Sequence, residues 1–215
     1  KGHQIIKFSP DGKVLMTIGK PGGAAEPDYF FQPNDVIVAP NGDVFVSQGH
    51  GGGNPRIFRF DSTGKLLKSW GKLGAGPGDL SQPHSLALDS QGRLFVADRT
   101  NNRVEIFSQN GDFIAEWKQF GRPSGVYIDK NDVLYVGDSE SQSQKPEAYG
   151  YNPGVSRGIR IGSAKTGVVT AYIPDPLPQD GKIVSTSPEG ITADRNGVVY
   201  GVEVYPVGKL KRHAK

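Results

Sequence analysis

One cassette is written four times in this chain with no slippage in its inner half. It reads Pro33-Asn34-Asp35-Val36, Pro83-His84-Ser85-Leu86, Pro123-Ser124-Gly125-Val126 and Pro188-Glu189-Gly190-Ile191. Eight residues after each proline stands a tight-turn pair: Asn41-Gly42, Gln91-Gly92, Asn131-Asp132 and Asn196-Gly197. Fifteen residues after it, a polar residue closes an apolar run: Gln48, Asp98, Asp138 and Glu203. Self-similarity at a period of roughly 40–50 residues, with strands inside each unit, predicts an all-β fold, a β-propeller of four-stranded antiparallel blades. A propeller carries equivalent positions to one axis, so each column of the repeat becomes a ring of residues and a site is read from a column.

Within a unit, Val36-Ile37-Val38 is turned by Asn41-Gly42 and returns as Val44-Phe45-Val46, a tight hairpin whose turn pair supplies positive φ. A second, outer hairpin follows, as in Arg56–Phe60 and Leu66–Trp70, with alternation that suits strands facing a neighbouring blade. One domain is expected over residues 1–215: a partial blade at 1–20, blades at about 30–71, 80–118 and 120–175, and a partial blade at 185–215. The unit beginning at Pro123 carries a polar insertion, Ser139 to Arg157, which reads either as a lid or binding loop or as a variable surface loop. The two end pieces admit two readings. Either they complete one shared blade in a four-bladed ring, or, as favoured here, the chain is part of a longer one with further blades before Lys1.

The 30 glycines fall at turns, which agrees with many short strands. No stretch of about 18 apolar residues is present, so no membrane span is expected. With no cysteine, disulfides and thiolate-held metals are excluded. The net charge of +3 is more than accounted for by Lys209, Lys211, Arg212 and Lys215. A short basic terminus on a near-neutral body is a solvated feature, and no nucleic-acid partner is expected.

The residue after the cassette proline, Asn34, His84, Ser124 or Glu189, stands where the innermost strand begins. Imidazole and carboxylate brought to one channel end are candidate metal ligands, His84 and Glu189, for an ion of the zinc type. The alternative is a histidine that bonds a backbone carbonyl. In the strand-end column, acceptors tie down the following loop. Arg99, beside Asp98, is a candidate bidentate clamp for a carboxylate. His50, in the glycine-rich loop one unit earlier, is a candidate acid or base, or else an exposed loop histidine. Glycine-rich Gly74–Gly78 has no strand-to-helix context and reads as turn sequence.

Phe31-Gln32-Pro33-Asn34-Asp35-Val36, Val44–Gly49, Gly76-Pro77-Gly78, Gln82–Leu88 and Val96-Ala97-Asp98-Arg99 with Asn102-Arg103 resemble the peptidyl-α-hydroxyglycine α-amidating lyases. The likeness is strongest over residues 30–107. It implies a six-bladed NHL-repeat propeller and cleavage of a peptidyl-α-hydroxyglycine to a peptide amide and glyoxylate, so a peptide or small-molecule substrate. It also implies a bacterial homologue, in line with the absent cysteines, and a periplasmic or secreted location. In that family three cassette histidines hold a zinc ion on the axis. His84 matches one, Glu189 stands for another, and the third falls before Lys1. Arg99 matches the catalytic arginine, His50 stands where the family has a catalytic tyrosine, and Gly190 replaces the aspartate of a structural calcium site, which puts calcium in doubt. Two functions follow as expectations: a lyase-like enzyme with a channel metal, or a non-catalytic propeller whose channel mouth and 139–157 loop bind a protein, peptide or glycan.

Overall fold

The computed structural model describes residues 2–23, 30–50, 53–177, 187–203 and 208–214. Parts of the expected segments, namely residues 1, 51–52, 185–186, 204–207 and 215, lie outside the described residues. No α-helix occurs among the described residues.

The strands are β1 (Gln4–Phe8), β2 (Val14–Gly19), β3 (Pro33–Val38), β4 (Val44–Gln48), β5 (Arg56–Phe60), β6 (Leu66–Trp70), β7 (Pro83–Leu88), β8 (Leu94–Asp98), β9 (Arg103–Phe107), β10 (Phe113–Trp117), β11 (Gly125–Ile128), β12 (Val133–Asp138), β13 (Gly158–Ser163), β14 (Val169–Pro174), β15 (Gly190–Ala193), β16 (Val199–Val202) and β17 (Leu210–His213). They form three four-stranded antiparallel meanders, β3–β6, β7–β10 and β11–β14, with a three-stranded sheet β15–β17 and a hairpin β1–β2. The first strands of successive sheets are spatial neighbours, β3 with β7, β7 with β11 and β11 with β15. That order around an axis is a propeller.

The alternating pattern explains why the blades stack. Along β8, Leu94 and Val96 face the β3–β6 sheet and join a core with Phe45, Ile57, Trp70 and Phe107. Their neighbours Phe95 and Ala97 face the other way and join a core with Val126, Leu134 and Val136 of the β11–β14 sheet. Strict period two with both faces apolar is what a strand sandwiched between blades requires.

Near the axis the blades approach closely. Asp35 accepts hydrogen bonds from the Ser85 hydroxyl at 2.9 Å and the Leu86 amide at 2.8 Å, and the Ser85 oxygen accepts from the Val126 amide at 3.3 Å. Gly125 lies so near the next blade that a Cβ would come within 2.3 Å of the Glu189 carbonyl oxygen. Only glycine fits there.

Beneath β8 and β9 lies a buried ionic cluster. Arg103 donates to Asp98 (2.9 Å), to Glu116 (2.6 Å) and to the carbonyls of Ala75, Gly76 and Asp79, and sits 3.2 Å from Glu105. Gly74–Gly78 is therefore held as a turn by one guanidinium, as its sequence context implied. Glu105 is fully buried, with Oε2 lacking any hydrogen-bond partner, and burial pushes its carboxyl up to about 7. A native pKa above the unfolded value means the folded state binds the extra proton between about pH 4.5 and 7, so Glu105 withdraws stability as pH rises through that window. Glu105→Gln keeps the Oε1 acceptor for Gly78 and removes the charge. Its melting temperature should match the parent near pH 4.5 and exceed it by a few degrees near pH 8, corresponding to about 1–3 kcal/mol. Parallel melting curves across pH 4.5–8 would remove this assignment.

Candidate functional site

Antiparallel register decides which side chains meet. Pro83 pairs with Asp98 across β7 and β8, so the start of the inner strand and the residues after the second strand lie at one end of the sheet. Pro33 with Gln48, Gly125 with Gly137, and Gly190 with Val202 repeat the arrangement. Asn34, His84, Ser124 and Glu189 thus share an end with His50, Arg99 and Glu140.

The first column interlocks blade to blade. Asn34 Nδ2 donates to the Pro83 carbonyl at 2.7 Å, and His84 Nδ1 lies 2.9 Å from the Ser124 carbonyl. Since a carbonyl only accepts, Nδ1 carries the proton and Nε2 keeps its lone pair. Burial, with the Arg99 guanidinium nearby, holds the imidazole down to about 4, so it is neutral at pH 7. The two readings of His84 are thus compatible: it bonds a backbone carbonyl, and that bond prepares Nε2 as a ligand. The His50 ring centre is 5.7 Å from that of His84. Both line an open cleft of about 550 Å³, together with His3, Gln32 and Asn34.

Arg99 is almost fully buried. Nη1 is 3.4 Å from Glu140 and 3.8 Å from Glu189, and Nη2 donates to Gln82 Oε1 at 3.1 Å. Its Nε has no hydrogen-bond partner. Gln82 reaches Arg99 from a left-handed backbone, φ 57°, a conformation that costs a non-glycine residue about 1 kcal/mol or more and clusters at functional sites. Burial pushes the Glu189 carboxyl up, and Arg99 pulls it partly back.

Glu140 is shared. Oε1 faces Arg99, while Oε2 accepts from Arg122 Nε at 2.9 Å and from the Tyr149 hydroxyl at 3.0 Å. The Arg122 guanidinium stands 4.8 Å from the Tyr149 ring centre and also donates to the Arg99 carbonyl at 3.1 Å. The 139–157 insertion folds against this cluster. Its buried Gln142 accepts from the amides of Gln144 and Lys145 and donates to the Lys145 carbonyl at 2.8 Å. The strand-end column ties down loops: Asp98 accepts from Ser81 N at 2.6 Å, Gln48 from Phe31 N at 3.0 Å and Asp138 from Arg122 N at 3.0 Å.

Sequence reasoning did not single out Glu140, Arg122 or Gln82. The signal was present, since Glu140 lies seventeen residues after Pro123 as His50 lies seventeen after Pro33, and Arg122 and Gln82 each precede a cassette proline. Among the described residues, no group of three or more His, Cys, Asp or Glu side chains is arranged to hold a metal ion. They supply one imidazole prepared for ligation rather than a complete three-ligand zinc set. No helix among the described residues is long and apolar enough to cross a membrane.

Comparison with known proteins adds the following. The NHL repeat family model matches residues 80–107. NHL repeat-containing protein 3 of Homo sapiens is 37% identical over 120 residues, covering 54% of this chain and 35% of that protein. Peptidyl-alpha-hydroxyglycine alpha-amidating lyase 1 of Drosophila melanogaster is 35% identical over 131 residues, covering 54% of this chain and 23% of that protein. The matched stretch is thus about a third or less of these relatives' own length. The crystal structure of virginiamycin B lyase from Staphylococcus aureus superposes with a TM-score of 0.59 at 19% identity, covering 99% of this chain and 63% of that one, a likeness of fold alone.

Proposed function

We propose that this NHL-repeat propeller, a sequence relative of the peptidyl-α-hydroxyglycine α-amidating lyases, is lyase-like and cleaves a peptidyl-α-hydroxyglycine to a peptide amide and glyoxylate. The observation that carries this reading is the buried Nε–H of Arg99, a donor without an acceptor at the same end of the sheets as a neutral His84. A buried donor left unmet is costly, and a ligand oxygen accounts for it. The glycolate carboxylate of such a substrate is an acceptor of that kind, and Gln82 and Glu140 hold the guanidinium in place.

The reaction breaks the bond between the amide nitrogen and the α-carbon. The hydroxyl proton leaves, the electron pair it leaves on oxygen forms the C=O of glyoxylate, and the amide nitrogen departs with the electrons of the broken bond and takes up a proton. Arg99 orients the carboxylate so that the hydroxyl and the breaking bond are held together in one geometry. His84 would offer Nε2 to a zinc-type ion, which would supply polarisation of the hydroxyl. His50 stands where the family carries its base, and calcium has no aspartate at Gly190.

One observation favours the second reading, a non-catalytic propeller that binds a protein, peptide or glycan at its channel mouth. Arg99 already faces two carboxylates, Glu140 and Glu189, so it is less available to a third. The separating experiment is glyoxylate release from an α-hydroxyglycine peptide, run with metal analysis of the same preparation. Stoichiometric zinc with glyoxylate release supports the lyase. Metal-free protein silent toward such peptides leaves the binding propeller as the better account.

A further inference from the structure

Arg99 and Arg103 are both buried arginines of the β7–β10 blade, and their charges are matched very differently. Arg103 donates to Asp98 at 2.9 Å and to Glu116 at 2.6 Å. Arg99 stands 3.4 Å from Glu140 and 3.8 Å from Glu189, both beyond the roughly 2.7–3.2 Å of an ordinary N–H···O bond. Its hydrogen bond of ordinary length, 3.1 Å, goes to the neutral Gln82 amide, and its Nε–H has no acceptor. We infer that Arg122 and Tyr149 are positioning residues that hold Glu140 off Arg99, and so keep the Arg99 guanidinium open to a ligand carboxylate. This rests on the reading of Arg99 as a carboxylate clamp.

Glu140 has one charge to share. Its Oε2 accepts from Arg122 Nε at 2.9 Å and from the Tyr149 hydroxyl at 3.0 Å, so its short bonds lie on the oxygen that does not face Arg99. Two donors on one oxygen fix the carboxylate's orientation, and the Arg122 bond is the charge-assisted one. Arg122 is itself held in place. Its Nη1 donates to the Arg99 carbonyl at 3.1 Å and to Asn102 Oδ1 at 3.3 Å, and its guanidinium lies 4.8 Å from the Tyr149 ring centre. Asn102 in turn donates to the Tyr151 carbonyl at 3.1 Å, which ties the 139–157 insertion to the loop that carries Arg99. Of the two carboxylates near Arg99, Glu140 is therefore engaged by Arg122 and Tyr149, and Glu189 stands past bonding distance.

Without Arg122, Glu140 loses its cationic partner and is drawn across the 3.4 Å gap onto Arg99. That internal ion pair would occupy the donors a ligand needs, and apparent affinity falls in proportion to the fraction of molecules so closed. A role of this kind differs from bracing the loop in one respect: removing the Glu140 charge should undo the damage.

The test is binding of a fluorescein-labelled peptide ending in glycine, which carries the carboxylate and has no α-hydroxyl to eliminate. Anisotropy compares it with the same peptide as its amide, on the intact chain, and glyoxylate release from the α-hydroxyglycine peptide is followed on the same preparations. The variants are Arg122→Gln, Glu140→Gln, the two combined, and Tyr149→Phe, with thermal melts to verify folding. The parent should prefer the acid to the amide by about tenfold or more, and Arg122→Gln should weaken the acid about tenfold and the amide less than about twofold. Glu140→Gln in the Arg122→Gln background should restore the acid to within about threefold of the parent, a coupling that two independent changes would not show. Tyr149→Phe removes one hydroxyl from a side chain that is 47% exposed, and should weaken the acid about threefold. A folded Arg122→Gln protein with parental affinity for the acid would overturn the inference. So would a double variant no better than Arg122→Gln, which would make Arg122 a brace for the loop alone. Should Arg122→Gln fail to fold, parental acid affinity in Tyr149→Phe would overturn it instead. A parent that binds acid and amide alike removes the Arg99 reading and the inference with it. Acid preference lost and restored as expected in a protein that releases no glyoxylate would support the inference while ending the lyase reading.

Discussion

Arg103→Ala is expected to lower the melting temperature by roughly 10–20 °C, or to prevent folding altogether. The wild-type guanidinium is fully buried and faces Asp98, Glu105 and Glu116 while holding the carbonyls of Ala75, Gly76 and Asp79. Truncation would leave two wholly buried carboxylates, Asp98 and Glu105, with no countercharge. Removing one partner of a buried ionic cluster costs about 3–5 kcal/mol, because the remaining charge stays desolvated. A domain stable by about 5–15 kcal/mol cannot absorb much of that. Arg103→Lys should rescue little, since one ammonium cannot reach carboxylates and three carbonyls at once as a planar fork does. Calorimetry at pH 7 checks both variants, and a fall of under about 3 °C for Arg103→Ala would show that the cluster contributes little to stability.

The same residues show what was legible in the sequence. Blade order was readable because each constraint is local: a proline opening the inner strand, a turn pair eight residues on, and alternation such as Leu94-Phe95-Val96-Ala97 with apolar side chains on both faces. That His84 and Arg99 share one end of the sheet was readable for the same reason, because Pro83 pairs with Asp98. What eluded the sequence depends on contacts across blade boundaries. Glu140 binds Arg99 from another sheet, forty-one residues away, and Tyr149 reaches Glu140 only because Gln142 folds the insertion back. No local pattern encodes such a pairing. Gln82 was missed for a different reason: a glutamine before proline gives no hint of positive φ, and the left-handed backbone is what aims its amide at Arg99. The insertion, readable in sequence either as a lid or as a surface loop, is in the fold the support of an arginine pair.

The largest functional effect is expected from exchanging the two residues that match the family outright, and the two exchanges should fail differently. His84→Gln should reduce metal content and glyoxylate release together, by a factor of a hundred or more in kcat/KM if the ion contributes about 3 kcal/mol to the barrier. Arg99→Ala should keep the metal and lose kcat/KM by about 10²–10³, because it removes a charge-assisted clamp of about 3–4 kcal/mol and leaves the imidazoles untouched. Arg99 lies near both Glu140 and Glu189, so its loss also removes a cation from beside two carboxylates. They would repel an anionic substrate and raise KM beyond the loss of the clamp itself. Glu140→Gln supplies the control, since it keeps one acceptor oxygen for one of the two arginines while removing one of those charges. If Arg99 acts on a substrate carboxylate, Glu140→Gln should lower KM or leave it unchanged, and the Arg99→Ala defect should shrink for an ester of the same peptide, which has no carboxylate to hold. An equal defect on the acid and the ester would mean that Arg99 only fastens the blades together, and the carboxylate assignment would then fall even if turnover is real.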